Sequence, residues 1–138
     1  MTVVFVCTGN SCRSPMAAAY FDALCRKRSL DICVLSAGIA ASGGIVSEHA
    51  TKVLHQNGLE PLTSHSRQLD EALVGEADLI ITMAHAHAEW IRDEFPDAAD
   101  KIHPLSDYNH FHGDVPDPVG GTLETYRQVF ELMKPNLE

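Results

Sequence analysis

The chain alternates short, wholly apolar runs with longer amphipathic ones. Thr2 to Val6 is continuously apolar rather than alternating, which is the pattern of a strand buried on both faces of a parallel sheet. Ile32 to Leu35 and Asp78 to Met83 read the same way, and Lys101 to Leu105 is a shorter fourth run, which Pro104 assigns to a sheet edge. Between these runs the apolar spacing turns helical. Pro15 to about Arg28 places Met16, Tyr20, Ala23 and Leu24 on one face. Ser47 reads as the N-cap of a helix with Ala50, Val53 and Leu54 inward and Gly58 beyond its end. Asp70 to Gly75 reads as a short helix and His85 to Glu94 as a longer one. Thr122 to about Lys134 has Leu123, Tyr126, Phe130 and Met133 at helical spacing.

Strands alternating with helices predict an α/β fold: a single four-stranded parallel sheet flanked by helices on both faces. At 138 residues, with no repeat, linker or low-complexity stretch, residues 1–138 are expected to form one domain. Such sheets bind ligands beyond the carboxyl ends of their strands, so the segment after the first strand comes under scrutiny.

That segment is Cys7-Thr8-Gly9-Asn10-Ser11-Cys12-Arg13-Ser14-Pro15. It lies between a strand and a helix, where a curled run of backbone N–H groups and a helix dipole can surround an oxyanion. Ser14 is suited to the N-cap and Pro15 to the first helical position. Gly9 is expected to let the backbone turn where a Cβ would clash, and Asn10 tolerates a left-handed conformation. A helix N-terminus and a nearby guanidinium favour the thiolate form of a cysteine, which makes Cys7 a candidate nucleophile. Arg13 can grip two phosphate oxygens with its fork. The loop thus has the parts of a phosphate cradle made from Thr8, Gly9, Asn10, Ser11, Cys12 and Ser14, with Cys7 beneath and Arg13 at the rim.

A second chemical element lies in the long loop from Ser106 to Gly121, which contains Gly113-Asp114-Val115-Pro116-Asp117-Pro118-Val119-Gly120-Gly121. Loops of that length in a compact domain are usually functional. Two prolines flank Asp117 and restrict its backbone. A thiolate attacking phosphorus needs an acid for the leaving group and later a base for water. Asp117 is the better candidate and Asp114, less rigidly flanked, the weaker.

Charge and cysteine content narrow the setting. A net charge of −9 argues against nucleic acid and anionic membrane surfaces as partners. The four cysteines, Cys7, Cys12, Cys25 and Cys33, cluster early and do not resemble a disulfide framework, so a reducing cytoplasm is expected. No apolar run approaches the ~18 residues of a membrane span.

Taken together, Val-Phe-Val-Cys-Thr-Gly-Asn-Ser-Cys-Arg-Ser-Pro-Met-Ala, Ser36-Ala37-Gly38, Ala77-Asp78-Leu79, Met83 with His85 and His87, and Gly-Asp-Val-Pro-Asp-Pro-Val-Gly-Gly resemble the low-molecular-weight protein tyrosine phosphatase family over nearly the whole chain. The resemblance is strongest to its bacterial protein-arginine-phosphatase branch. It implies a flavodoxin-like four-stranded parallel sheet, Cys7 as nucleophile, Arg13 as phosphate clamp and Asp117 as general acid. It also implies a hydrogen bond from Ser14 to the Cys7 sulfur, support of the loop by Asn10, and a phosphocysteine intermediate hydrolysed without metal or other cofactor. Phosphorylated proteins or peptides are the implied partners, and a monomer is expected.

Substrate choice turns on Ser11 and Val119. Tyrosine phosphatases of this family carry a bulky aliphatic residue where Ser11 stands and aromatic residues after the Asp-Pro. Arginine phosphatases resemble this chain in having a small hydroxyl residue there, though Thr rather than Ser. Here Val119 and Gly120 follow Pro118, and Ala40 to Gly44 contains no aromatic wall. Phosphoarginine is therefore the expected substrate and phosphotyrosine the alternative. An arsenate reductase would need further cysteines near Met83, where the chain reads Ala84-His85-Ala86-His87. A non-catalytic phosphate-binding module would need neither Asp117 nor a free cysteine beside an arginine. His85 and His87, two apart on a helix, face different ways, and His103, His110 and His112 complete no zinc set. These histidines are read as surface or hydrogen-bonding residues. Tyr108 is a candidate for the cleft border. Cys12, five residues from Cys7 on a curled loop, is a candidate redox partner for it.

Overall fold

The computed structural model describes residues 1–108 and 114–137, the side chains of Tyr108 and Asn136 excepted. The expectations for His110, His112 and Gly113, and for the Tyr108 side chain, lie outside the described residues. Four parallel strands, β1 (Thr2–Cys7), β2 (Cys33–Gly38), β3 (Leu79–Thr82) and β4 (Ile102–Pro104), form one sheet in the order β2-β1-β3-β4. The side chains of β1 alternate between two cores. Val3, Phe5 and Cys7 face one and Val4 and Val6 the other, which explains its unbroken apolar run. On the first face lie α1 (Arg13–Lys27), α2 (Glu48–Gln56) and α5 (Leu123–Leu137), which contribute Met16, Val53, Leu54, Phe130 and Met133. On the second lie α3 (Glu71–Glu76) and α4 (His85–Glu94), with Leu73, Val74, Ala88 and Ile91.

The strand order makes β1 the switch point. The chain moves from β1 to β2 on one side, then returns to place β3 on the other. A crevice opens at such a reversal beyond the strand carboxyl ends, and Cys7 is the last residue of β1. β4 is an edge strand, where Pro104 leaves no inner ladder position without its N–H.

Several boundaries differ from the sequence expectation. α1 starts at Arg13, not Pro15, and its N-cap position is Cys12, with no side-chain cap bond. Ser14 is not the cap, because its hydroxyl turns inward to the loop. β2 runs on to Gly38, because Ser36, Ala37 and Gly38 pair with Phe5, Val6 and Cys7 of β1. α5 passes through Pro135, which removes one N–H in the last turn, and the buried Leu137 continues the core beyond it. Ser47 does cap α2, accepting from Ala50 N, and Asp70 caps α3, accepting from Leu73 N at 2.8 Å. Among the described residues no helix is long and apolar enough to cross a membrane.

Candidate active site

The segment from Cys7 to Arg13 is fastened from behind through its carbonyls and side chains. Ile39 N donates to Cys7 O, Ala40 N to Thr8 O, Ser47 N to Ser11 O, and Met16 N to Cys12 O, all within 2.8–3.1 Å. The loop's own N–H groups donate in none of these bonds, so this fastening does not consume them, and a run of such free donors is the arrangement that binds anions. Asn10 sits at φ 53 in the left-handed region and is buried, as its tolerance of that conformation predicts. Its amide Nδ2 donates to Ser14 Oγ at 2.8 Å and Ser36 Oγ at 3.0 Å, and its Oδ1 accepts from Arg67 N at 2.8 Å.

Glycine matters at a different place from the one expected. Gly9 has no positive φ, and a Cβ there would meet only Ser11 Oγ at 3.6 Å, an ordinary contact. The backbone approach that excludes a side chain is at Gly38, where a Cβ would lie 2.6 Å from Thr8 O and 2.9 Å from Asn10 N. The end of β2 thus presses directly against the loop.

Ser14 Oγ lies 3.0 Å from Cys7 Sγ and 3.4 Å from Ala37 O. Asn10 donates to this oxygen, and the single Ser14 proton can go to the sulfur or to the Ala37 carbonyl. Cys12 is buried, and burial pushes its thiol up, an effect only partly offset by the Ser11 hydroxyl 3.6 Å from its sulfur. Cys12 therefore stays a thiol at neutral pH. Beneath it lies the buried Tyr126, whose phenol burial also pushes up and whose hydroxyl bonds with Ser47 and Cys12. Ser11 itself is half-buried at the middle of the loop.

Arg13 is buried at the rim, its NH1 donating to Val115 O at 3.2 Å and its NH2 to Thr8 Oγ1 at 3.4 Å. Asp117 Oδ2 lies 3.6 Å from the same NH2. Arg13 Nε is buried and without a hydrogen-bond partner among the described residues. Leaving a buried donor unpaired costs about 1–3 kcal/mol, so this N–H is suited to an anionic ligand. The half-exposed Asp117 is held from both sides. Its Oδ1 accepts from Val119 N at 3.0 Å, and Gly121 N closes a turn onto Pro118 O at 2.8 Å. Gly120, at φ 82, occupies the turn position that requires it, as in a type II turn. Val119 is exposed beside Asp117.

Asp114, the weaker acid candidate, is committed elsewhere. Its Oδ1 accepts from both the backbone N and the Nδ1 of His85, each at 2.8 Å, at the start of α4. Burial pushes its carboxyl up, but the His85 hydrogen bonds outweigh this and hold it below the usual range. His87, expected to be a surface or hydrogen-bonding residue, is of the second kind. It is buried, and its Nε2 lies 2.8 Å from Thr8 Oγ1. Burial, then the charge of Arg13, lower it to about 4. His85 and His87 thus face different ways, as the spacing predicts. Among the described residues no group of three or more His, Cys, Asp or Glu side chains converges as a metal site. Cys25 lies in α1, and Cys33 pairs with Thr2 at the opposite end of β1 from Cys7. Five residues of strand separate Cys33 from that end, about 17 Å at the usual rise, too far to relay a disulfide to Cys7.

Comparison with known proteins agrees with this geometry. A family model described as "Low molecular weight phosphotyrosine protein phosphatase" matches residues 2–138. The protein-arginine-phosphatase of Bacillus subtilis is 41% identical over 94% of this chain and 87% of its own length. The low molecular weight protein-tyrosine-phosphatase PtpB of Staphylococcus haemolyticus is 36% identical over 96% of this chain and 92% of its own. Among solved structures, YwlE arginine phosphatase, as a cysteine-to-serine mutant with a phosphorylated active-site serine, superposes with a TM-score of 0.94. It is 38% identical, covering 99% of this chain and 91% of that one. Family model, relatives and fold agree over nearly the whole length, and the chain belongs to the low molecular weight phosphotyrosine protein phosphatase family.

Proposed function

We propose that this phosphoprotein phosphatase is a protein arginine phosphatase, with Cys7, Arg13 and Asp117 as its working groups. The Cys7 thiolate attacks the phosphorus of a phosphorylated side chain held by the loop N–H groups and Arg13. As the S–P bond forms, the P–N bond of phosphoarginine breaks, and the Asp117 carboxyl gives its proton to the leaving nitrogen. Water then attacks the phosphocysteine, Asp117 takes a proton from it, the S–P bond breaks and inorganic phosphate leaves. Phosphoryl transfer asks mainly for positioning and neutralisation of oxygen charge. The buried, unpartnered Arg13 Nε and the outward fastening of the loop carbonyls support that division of labour. The Ser14 hydroxyl, 3.0 Å from Cys7 Sγ, turns its proton from Ala37 O to the sulfur and stabilises the thiolate as attacking and leaving group.

The observation that carries arginine over tyrosine is the half-buried hydroxyl of Ser11 in mid-loop, engaged among the described residues only by a 3.6 Å contact with Cys12 Sγ. It can pair with a guanidinium N–H, which an aliphatic residue there would leave unpaired. Val119 beside the acid and the small residues Ala40 to Gly44 build no wall for a phenyl ring. The 41% identical relative named a protein-arginine-phosphatase supports the same reading. Initial rates on a phosphoarginine peptide and a phosphotyrosine peptide of the same sequence decide it. A clear preference for phosphoarginine is expected. A tenfold preference for phosphotyrosine would replace the substrate assignment and leave the roles of Cys7, Arg13 and Asp117 as proposed.

A further inference from the structure

We propose that His87 is a positioning residue that acts through Thr8 to hold the Arg13 guanidinium in its phosphate-binding orientation. The inference rests on the reading of the Cys7–Arg13 loop as a phosphate site. Thr8 is exposed at the rim of the cleft, where its hydroxyl would otherwise turn freely toward water. His87 reaches it from the first turn of α4, on the other face of the sheet from α1, with Nε2 at 2.8 Å from Oγ1.

Arg13 sets one of the two proton directions. A guanidinium only donates, so Thr8 Oγ1 accepts from Arg13 NH2 at 3.4 Å. The Thr8 proton can then go to His87 Nε2 when the ring is neutral and carries its hydrogen on Nδ1, and this is the tautomer we assign. In that tautomer the hydrogen sits on Nδ1, which has no partner among the described residues. Three charged groups face this ring: Arg13 from α1, and Asp114 and Asp117 from the loop beside it. Burial and the Arg13 charge keep it neutral, with a value of about 4. A protonated ring would convert Nε2 to a donor, turn the Thr8 hydroxyl around and place a second cation against Arg13. The guanidinium is thus gripped by Val115 O at NH1 and by the His87-directed Thr8 hydroxyl at NH2. Its Nε remains available to an anion.

The test is the competitive inhibition constant of inorganic phosphate against turnover of an aryl phosphate. It is measured for wild type, Thr8→Val, His87→Ala, His87→Gln and the double variant Thr8→Val/His87→Ala, with urea midpoints for each. Thr8→Val and His87→Ala should each weaken phosphate binding by roughly three- to tenfold, the worth of one hydrogen bond. The double variant should be no worse than either single one, because the two side chains act in one chain. His87→Gln, a neutral side chain with an acceptor, should recover most of the loss. A merely structural role would lower the urea midpoints without producing this non-additivity. Unchanged phosphate affinity in His87→Ala, multiplied losses in the double variant, or His87→Gln no better than His87→Ala would overturn the inference. If His87→Ala fails to fold, Thr8→Val at its exposed position decides, and unaltered phosphate affinity there overturns it equally. A wild type that neither turns over the aryl phosphate nor binds phosphate would overturn the site reading itself, and this inference with it.

Discussion

Asn10, Ser14 and Cys7 form a chain of contacts: the Asn10 amide donates to the Ser14 oxygen, which lies 3.0 Å from the Cys7 sulfur and 3.4 Å from Ala37 O. Replacing the sulfur should therefore remove chemistry and spare binding. Cys7→Ser is expected to abolish turnover while phosphate still binds, because the loop N–H groups and Arg13 remain; residual turnover above a trace would exclude the phosphocysteine route. Asp117→Asn should slow the enzyme by roughly 10²–10⁴-fold, the usual range for a general acid, and less for aryl phosphates with good leaving groups. Ser11→Ile should lower activity on phosphoarginine peptides and raise it on phosphotyrosine peptides, since a site built on a polar contact rejects what leaves it unpaired. Equal loss on both substrates would show that Ser11 does not choose between them. Cys12 is kept a thiol by burial and lies in the same loop. Peroxide would oxidise the Cys7 sulfur to a sulfenic acid, and the Cys12 thiol would displace water from it to form a disulfide. After peroxide and then reductant, wild type should recover activity that Cys12→Ser has lost; equal recovery would exclude the protective role.

At the scale of elements, the cradle depends on how closely β2 approaches it. A Cβ on residue 38 would sit 2.6 Å from Thr8 O, a clash with backbone that no rotamer change relieves. Gly38→Ala should cost about 1–3 kcal/mol, as overpacking does, and weaken phosphate affinity because the loop itself must move. Gly9→Ala should leave the urea midpoint nearly unchanged, since its Cβ meets only Ser11 Oγ at 3.6 Å. The reverse ranking in chemical denaturation would contradict the packing described. The acid has a comparable support. A turn closed by Gly121 N on Pro118 O, with Gly120 at positive φ, fixes the segment that carries Asp117, and Asp114 ties that segment to α4.

At the scale of the whole molecule, two groups tie stability to pH in the same direction. His87 titrates near 6.5 when unfolded and at about 4 in the fold. Between those values the unfolded chain binds a proton that the folded chain does not. Stability therefore falls as pH drops from about 6.5 toward 4, by on the order of 3 kcal/mol in total, and this contribution levels off below. Asp114, held below the usual carboxylate range by His85, adds stability above its unfolded value and loses it as pH falls further. Urea midpoints at pH 7.5, 6 and 5 should decline more steeply for wild type than for His87→Gln. Parallel declines would assign the acid sensitivity to other groups.

The local sequence determined much of this protein, because the relevant forces act over a few residues. Continuous apolar runs are satisfied as doubly covered strands and helical spacing as packed helices, and a Cys and an Arg with five residues between them at a strand-to-helix turn marked the segment proposed as an anion cradle. The Asp117 loop was legible from its flanking prolines, and the wider motif pattern identified the family. What the tertiary structure decided lies in contacts between segments distant in the chain. Ser14 resembles an N-cap locally, but its hydroxyl is drawn inward by Asn10 and Cys7. Gly9 resembles the necessary glycine, yet the close approach falls at Gly38, 29 positions later, because parallel pairing brings the end of β2 beside the end of β1. Asp114 and Asp117 are similar carboxylates in sequence, and only the docking of α4 commits the first to His85. His87 is one of eight histidines, and the motif it shares with Met83 and His85 pointed to the family without giving it a role. Its neutrality and its hold on Thr8 arise from burial against Arg13, 74 residues away in the chain, and no local signal encodes that distance.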